Sequence, residues 1–109
     1  MSNKPTRFYS NRQEKAVAKA VSGKKVANSG ATPFSKGDVV TDAWLIECKT
    51  KCSEAKSFSI KKEWLDKNRE EAFAMGKSYN ALVFDYGEGT RYYVIDEKTF
   101  LEMKENMNE

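Results

Sequence analysis

The sequence predicts one α+β (α/β) domain with the order α-β-β-β-α-β-β-α. Three observations lead there. Helical 3.6-residue periodicity alternates with short β-rich runs, each break carries turn or capping residues, and 109 residues suffice for one core only. Hydrophobic residues make up 39% and charged residues 32%, with enough Trp, Tyr and Phe to exclude a disordered chain. The longest apolar runs, such as Ala81-Leu82-Val83-Phe84, are far below the roughly 20 residues of a membrane span. No apolar signal core follows Met1, so the expected location is cytoplasmic.

Each element has a local reason. Ser10-Asn11-Arg12-Gln13 has the form of a capping box, and Gln13, Ala16, Val17, Ala20 and Val21 recur at helical spacing, predicting a first helix over 11–22 closed by Gly23. Residues 1–9 are expected to form a flexible basic arm. A short extended stretch near 26–28 and a loop to Pro33 follow. Residues 38–41 and 43–49 read as a hairpin turning about Asp42, its second arm apolar on both faces (Trp44 and Ile46; Leu45). Ser57 or Ser59 can cap a second helix running to about Met75 and closed by Gly76, with Ile60, Trp64, Leu65, Ala72 and Phe73 as its buried stripe. Residues 79–85 and 91–95 form a hairpin across Gly87-Glu88-Gly89. Thr99-x-x-Glu102, or Asp96 one turn earlier, caps a last helix.

Composition narrows the chemistry. There is no histidine, which excludes Ser-His triads, Cys/His zinc fingers and His-dependent nucleases. Two cysteines, Cys48 and Cys52, cannot alone close a zinc site and are expected to be reduced thiols. Charge is uneven: residues 1–37 carry eight bases against the single acid Glu14, whereas the remainder is net acidic. A basic third on an acidic body suits a polyanion such as DNA. Arg7, Arg12, Lys15, Lys24, Lys25 and Lys36, with Lys51, Lys61 and Lys62 beyond, are the candidate phosphate contacts.

Glu47-Cys48-Lys49 closes the most apolar strand, and alternation puts Glu47 and Lys49 on one face with Cys48 on the other. A two-residue turn at 41–42 or 42–43, or a four-residue turn at 41–44, places Asp38 on the Glu47 face; a three-residue turn does not. Two carboxylates that close require a proton or a cation between them. With oxygen ligands alone that cation is Mg²⁺, with Mn²⁺ able to substitute. It would activate water and neutralise charge at a phosphorus centre, and Lys49 could hold the attacking water or the transition-state oxygen. Glu14, at the edge of the first helix's apolar stripe, can lean toward the same shell.

Glu14, Asp38 and Glu47-x-Lys49 resemble the PD-(D/E)xK nuclease superfamily, and within it the small archaeal-type Holliday junction resolvases. Arg12-Gln13-Glu14-Lys15-Ala16-Val17, Asn28-Ser29-Gly30, residues 38–49, Ser59-Ile60-Lys61-Lys62-Glu63-Trp64 and Met75-Gly76-Lys77 carry the likeness, which covers nearly the whole chain. The resemblance implies a restriction-endonuclease-like core, a central mixed sheet flanked by helices. It implies a metal held by Glu14, Asp38, Glu47 and the Cys48 carbonyl, a catalytic lysine in Lys49, and a loop serine in Ser29. It further implies a homodimer that cuts four-way DNA junctions in a prokaryotic, archaeal or phage setting. Two departures are Gly37 in place of proline before Asp38 and a short hairpin that leaves Asp42 as a rival ligand. Activity on flaps, nicks or plain duplex, and a non-catalytic DNA-binding protein with structural carboxylates, are the alternatives.

Overall fold

Alternation within residues 38–48 decides the architecture, because it presents Val39, Trp44 and Ile46 to one helix and Asp38, Leu45 and Glu47 to another. The computed structural model describes residues 6–26, 38–49 and 55–107, with side chains from Arg12 onward. The elements run α1 (Thr6–Val21), β1 (Lys24–Lys25), β2 (Asp38–Val40), β3 (Trp44–Cys48), α2 (Lys62–Ala74), β4 (Tyr79–Asp85), β5 (Arg91–Val94) and α3 (Glu97–Asn106). The strands form one five-stranded mixed sheet in sequence order. Its β3–β4 pair is parallel and bridged by α2, and the other three pairs are antiparallel. The architecture is α+β, a sheet flanked by helices. No helix among the described residues is long and apolar enough to cross a membrane.

Helix α1 begins at Thr6, earlier than the capping box suggests, so residues 6–9 are helix rather than arm and Gln13 is mid-helix. Its sheet-facing residues are Gln13, Glu14, Val17, Ala18 and Val21, and Ala20 is exposed. The helix closes with two bonds that satisfy its last carbonyls: Ser22 N–H donates to Lys19 O and Gly23 N–H to Ala18 O. The left-handed residue there is Ser22, at φ 57°, not the glycine. Gly23 answers to space instead, since a Cβ would lie 2.5 Å from the Val40 carbonyl oxygen. Val17, Val39, Ile46 and Val83 form the core beneath α1, with Ala18, Val21, Trp44 and Cys48 packed around them.

Helix α2 starts at Lys62 behind Lys61, without a side-chain cap, so neither Ser57 nor Ser59 caps it. The preceding extended segment instead stacks Phe58 on Phe84, ring centroids 4.7 Å apart. Trp64, Asn68, Glu71 and Ala72 turn toward the sheet, whereas Phe73 is 86% exposed. Phe73 lies nine residues after Trp64, two and a half turns round, and so on the opposite side. The helix ends in a Schellman pair, Gly76 N–H to Phe73 O and Lys77 N–H to Ala72 O, with Gly76 at φ 72°.

Asp96 caps α3, accepting from Thr99 N–H at 2.8 Å, and hydrogen bonding from the Thr99 side chain and then its backbone holds the carboxyl below the usual range; Thr99 is not the cap. The Tyr79 hydroxyl donates to Glu102 and ties α3 to the sheet.

Candidate metal centre

The β2–β3 turn is a two-residue loop, because Thr41 N–H bonds the Trp44 carbonyl and the register sets Asp38 opposite Glu47. Thr41 Oγ1 steadies the turn by accepting from Trp44 N–H at 3.0 Å. Lys77 anchors it from the far side by donating to Thr41 O at 2.7 Å. Both acids therefore face α2, as parity requires. From that helix a third carboxylate descends: ligand oxygens of Asp38, Glu47 and Glu71 all lie within 4.8 Å of one another.

Burial makes this group costly. Asp38 is 2% exposed and Glu71 is 5% exposed. Asp38 Oδ2 and both Glu71 carboxylate oxygens lie buried without a hydrogen-bond partner. Lys67 Nζ comes within 3.9 Å of Glu71, close enough for Coulomb attraction and too far for a hydrogen bond. Burial, then the charges of Glu47 and Glu71, pushes the Asp38 carboxyl up to about 8, against a smaller downward pull from Lys49. Burial and the Glu47 charge push Glu71 up as well. Three converging carboxylates with orphaned oxygens fit a hard divalent cation, which would satisfy those oxygens and offset the repulsion.

Lys49 stands beside the acids. Its Nζ is 2.7 Å from Glu47 Oε2 and 4.2 Å from the centre of the Trp64 ring. Its backbone is fixed on both sides of the strand end: Lys49 N–H donates to Val83 O at 2.8 Å, and Gln13 Nε2 donates to Lys49 O at 2.8 Å. Gln13 also reaches Asp85 Oδ2 at 3.2 Å. A glutamine that the sequence offered as a cap thus pins the main chain of the candidate lysine from the opposite face.

Other anticipated residues fall elsewhere. Glu14 is outside the three-carboxylate group and pairs with Lys25 at 3.6 Å, although its charge still raises Asp38. It sits on α1, across the sheet from Glu71. Asp42 is exposed at the hairpin tip, some five residues from Glu47 at about 3.3 Å each, and is no rival ligand. Cys48 turns toward the α1 core, and burial pushes its thiol up to about 12, so it is an unreactive thiol; its carbonyl lies at the end of β3. Arg12, Lys15, Lys24, Lys25, Lys61 and Lys62 are exposed, the last paired with Asp66 at 2.8 Å. Ser29, Lys36, Lys51 and Cys52 lie outside the described residues, as does the side chain of Arg7.

Glu71 is the residue that sequence reasoning missed. Its signal was helical phase, since it follows Trp64 by seven residues, nearly two turns, and shares that residue's buried side.

Compared with family models, with curated proteins and with solved structures, the chain matches none.

Proposed function

We propose that this protein is a metal-dependent DNA endonuclease of the PD-(D/E)xK kind, with a restriction-endonuclease-like core, acting as a homodimer on branched DNA such as four-way junctions. The observation that carries this reading is the convergence of Asp38, Glu47 and Glu71 beside Lys49, with three buried carboxylate oxygens lacking any hydrogen-bond partner. Purely structural carboxylates are less favoured there, because like charges held close under burial destabilise a fold unless a proton or a cation is shared among them.

Asp38, Glu47 and Glu71 would hold Mg²⁺, with the Cys48 carbonyl as a further oxygen and Mn²⁺ as a substitute. When bound, the cation supplies a Lewis acid that neutralises charge on the scissile phosphate. Lys49 directs its ammonium toward the same place, where it orients the attacking water or stabilises the developing oxyanion. Glu14 acts from outside the shell, adding negative field at Asp38 and holding Lys25 at the edge of the sheet. Exposed Lys24, Lys25, Arg12 and Lys15 on the α1 and β1 side, and Lys61 and Lys62 at the start of α2, supply sequence-independent phosphate contacts.

The test is cleavage of a synthetic four-way junction in Mg²⁺, compared with linear duplex of the same sequence. Lys49→Ala and Glu47→Gln should each abolish cleavage while leaving junction affinity within about a few-fold, because one lysine is only one of many phosphate contacts. A Lys49→Ala protein that cuts at more than roughly a tenth of the wild-type rate would remove the assigned site. Binding without any cleavage by the wild type would favour a non-catalytic DNA-binding protein.

A further inference from the structure

We propose that Trp64 is a positioning residue for Lys49, holding the ammonium over the site when Glu47 turns to a cation. This inference rests on the nuclease reading and names a part of its machinery that the acid and lysine pattern leaves out.

Lys49 has two partners of different kinds. Glu47 Oε2 is a charged oxygen 2.7 Å away, and the Trp64 ring is a neutral π-face with its centre 4.2 Å away. Glu47 belongs equally to the group formed with Asp38 and Glu71. Were Asp38, Glu47 and Glu71 to hold a divalent cation, Glu47 would share with it the carboxylate charge that holds the lysine. The ring does not compete for that cation's coordination, so it remains as a partner when the carboxylate is shared. Lysine carries a point charge on a flexible four-carbon stem, and without a second partner its ammonium would scatter among rotamers. An aromatic face attracts a cation most strongly where water is partly excluded, and the Lys49 side chain is only 26% exposed.

Helix geometry links the ring to the acids. Trp64, Asn68 and Glu71 lie at i, i+4 and i+7 on one side of α2. Between the ring and the carboxylate, Asn68 Oδ1 accepts from Asn80 Nδ2 at 2.8 Å, which fixes the height and rotation of α2 on the sheet. One helical face thus delivers an acid to the cation group and a ring to the lysine in a set register. Phe58 packs against Trp64 with ring centroids 6.4 Å apart, and Lys61 Nζ lies farther from the ring centre than Lys49, at 5.7 Å.

The experiment compares Trp64→Leu with Trp64→Phe, at saturating Mg²⁺ and junction DNA under single-turnover conditions. Trp64→Leu should lower the rate about ten-fold, with the half-saturating Mg²⁺ concentration and DNA affinity moving less than about three-fold. Trp64→Phe, which restores a π-face, should recover most of that rate. A loss shared equally by Leu and Phe, or a loss appearing in Mg²⁺ or DNA affinity rather than rate, would make Trp64 a packing residue and overturn the proposal. A second measurement needs neither metal nor DNA. In a Trp44→Phe protein the emission of the remaining Trp64 should shift when Lys49 becomes Met, and an unchanged spectrum would deny the contact. Wild-type protein that cuts no DNA but shows this shift would overturn the nuclease reading and, with it, the positioning role. A cutting wild type with a fully active Trp64→Leu would overturn the positioning role alone.

Discussion

The two faces of the sheet differ in what burial does to them. Beneath α1, Val17, Val39, Ile46 and Val83 meet as apolar surfaces, and these four side chains gain by leaving water. Beneath α2, Leu45 and Leu82 are as deeply buried, yet Asp38, Glu47 and Glu71 share their face, and Asp38 and Glu71 carry oxygens that have no partner. The same strands make both faces by alternation. One face stabilises the fold, and the other spends part of that stability on a group whose charges repel. Such a division is expected where a site must bind something absent from the bare chain.

Substitutions can sharpen this contrast from each side. The largest effect should come from the apolar face, where Ile46→Ala should cost about 2–5 kcal/mol in denaturant unfolding, with or without Mg²⁺. Asp38→Asn should act in the opposite direction. By removing a charge held among like charges, it should raise the stability of metal-free protein by about 1 kcal/mol near pH 8, or roughly 4–8 °C in Tm, while abolishing stabilisation by Mg²⁺.

The pH dependence gives the sign independently. Folded protein keeps the Asp38 proton up to about pH 8, whereas the unfolded chain releases it near 3.8. Between those values the folded state binds more protons, so metal-free stability should fall as pH rises through the window, by at most about 1.4 kcal/mol per pH unit. Asn at position 38 should flatten that decline, and a slope unchanged by the substitution would assign the titration to another group. Mg²⁺ affinity should run the other way, rising with pH as Asp38 ionises.

Smaller effects belong to the edge and to the far side of β3. Lys24 and Lys25 lie exposed on the edge strand β1. On the proposed DNA-binding reading, replacing both with alanine should flatten the slope of log DNA affinity against log salt by about one to two units per chain, since each phosphate contact contributes about −0.9. Junction preference should survive, and an unchanged slope would move the DNA path toward Lys61 and Lys62. Cys48→Ser should cost about 1 kcal/mol through burial of a hydroxyl and leave cleavage largely intact, because its side chain faces the α1 core. A large loss of activity there would mean that the two faces are less independent than their packing implies.

Much of the polar face was legible from strand parity. Asp38, Glu47 and Lys49 could be put on one side because a side chain's face repeats every two residues, and the observed turn at 42–43 is one of those that parity allowed. Helix phase was harder to read. Glu71 follows Glu70 in a charged run that resembles a solvated face, and Phe73 two residues later invites the opposite assignment. A phase set by Trp64, rather than by the last aromatic residue, would have buried Glu71 and exposed Phe73. Gln13 was hidden for a related reason. Ser10 three residues before it made a cap, and nothing local to α1 announces that its amide is needed by the carbonyl of Lys49. Long-range partners of this kind arise from the sheet, not from the helix that carries them.

The parallel β3–β4 pair has a consequence for when the centre comes into being during folding. Asp38 and Glu47 meet through a tight hairpin, a local event. Glu71 and Trp64 come from α2, in the crossover between β3 and β4, and so depend on the larger loop to close. A chain still emerging from the ribosome with β1 to β3 in place holds two of the three acids and no ring above Lys49. On the nuclease reading proposed above, the full carboxylate set and the ring-held ammonium would therefore come together only with the crossover.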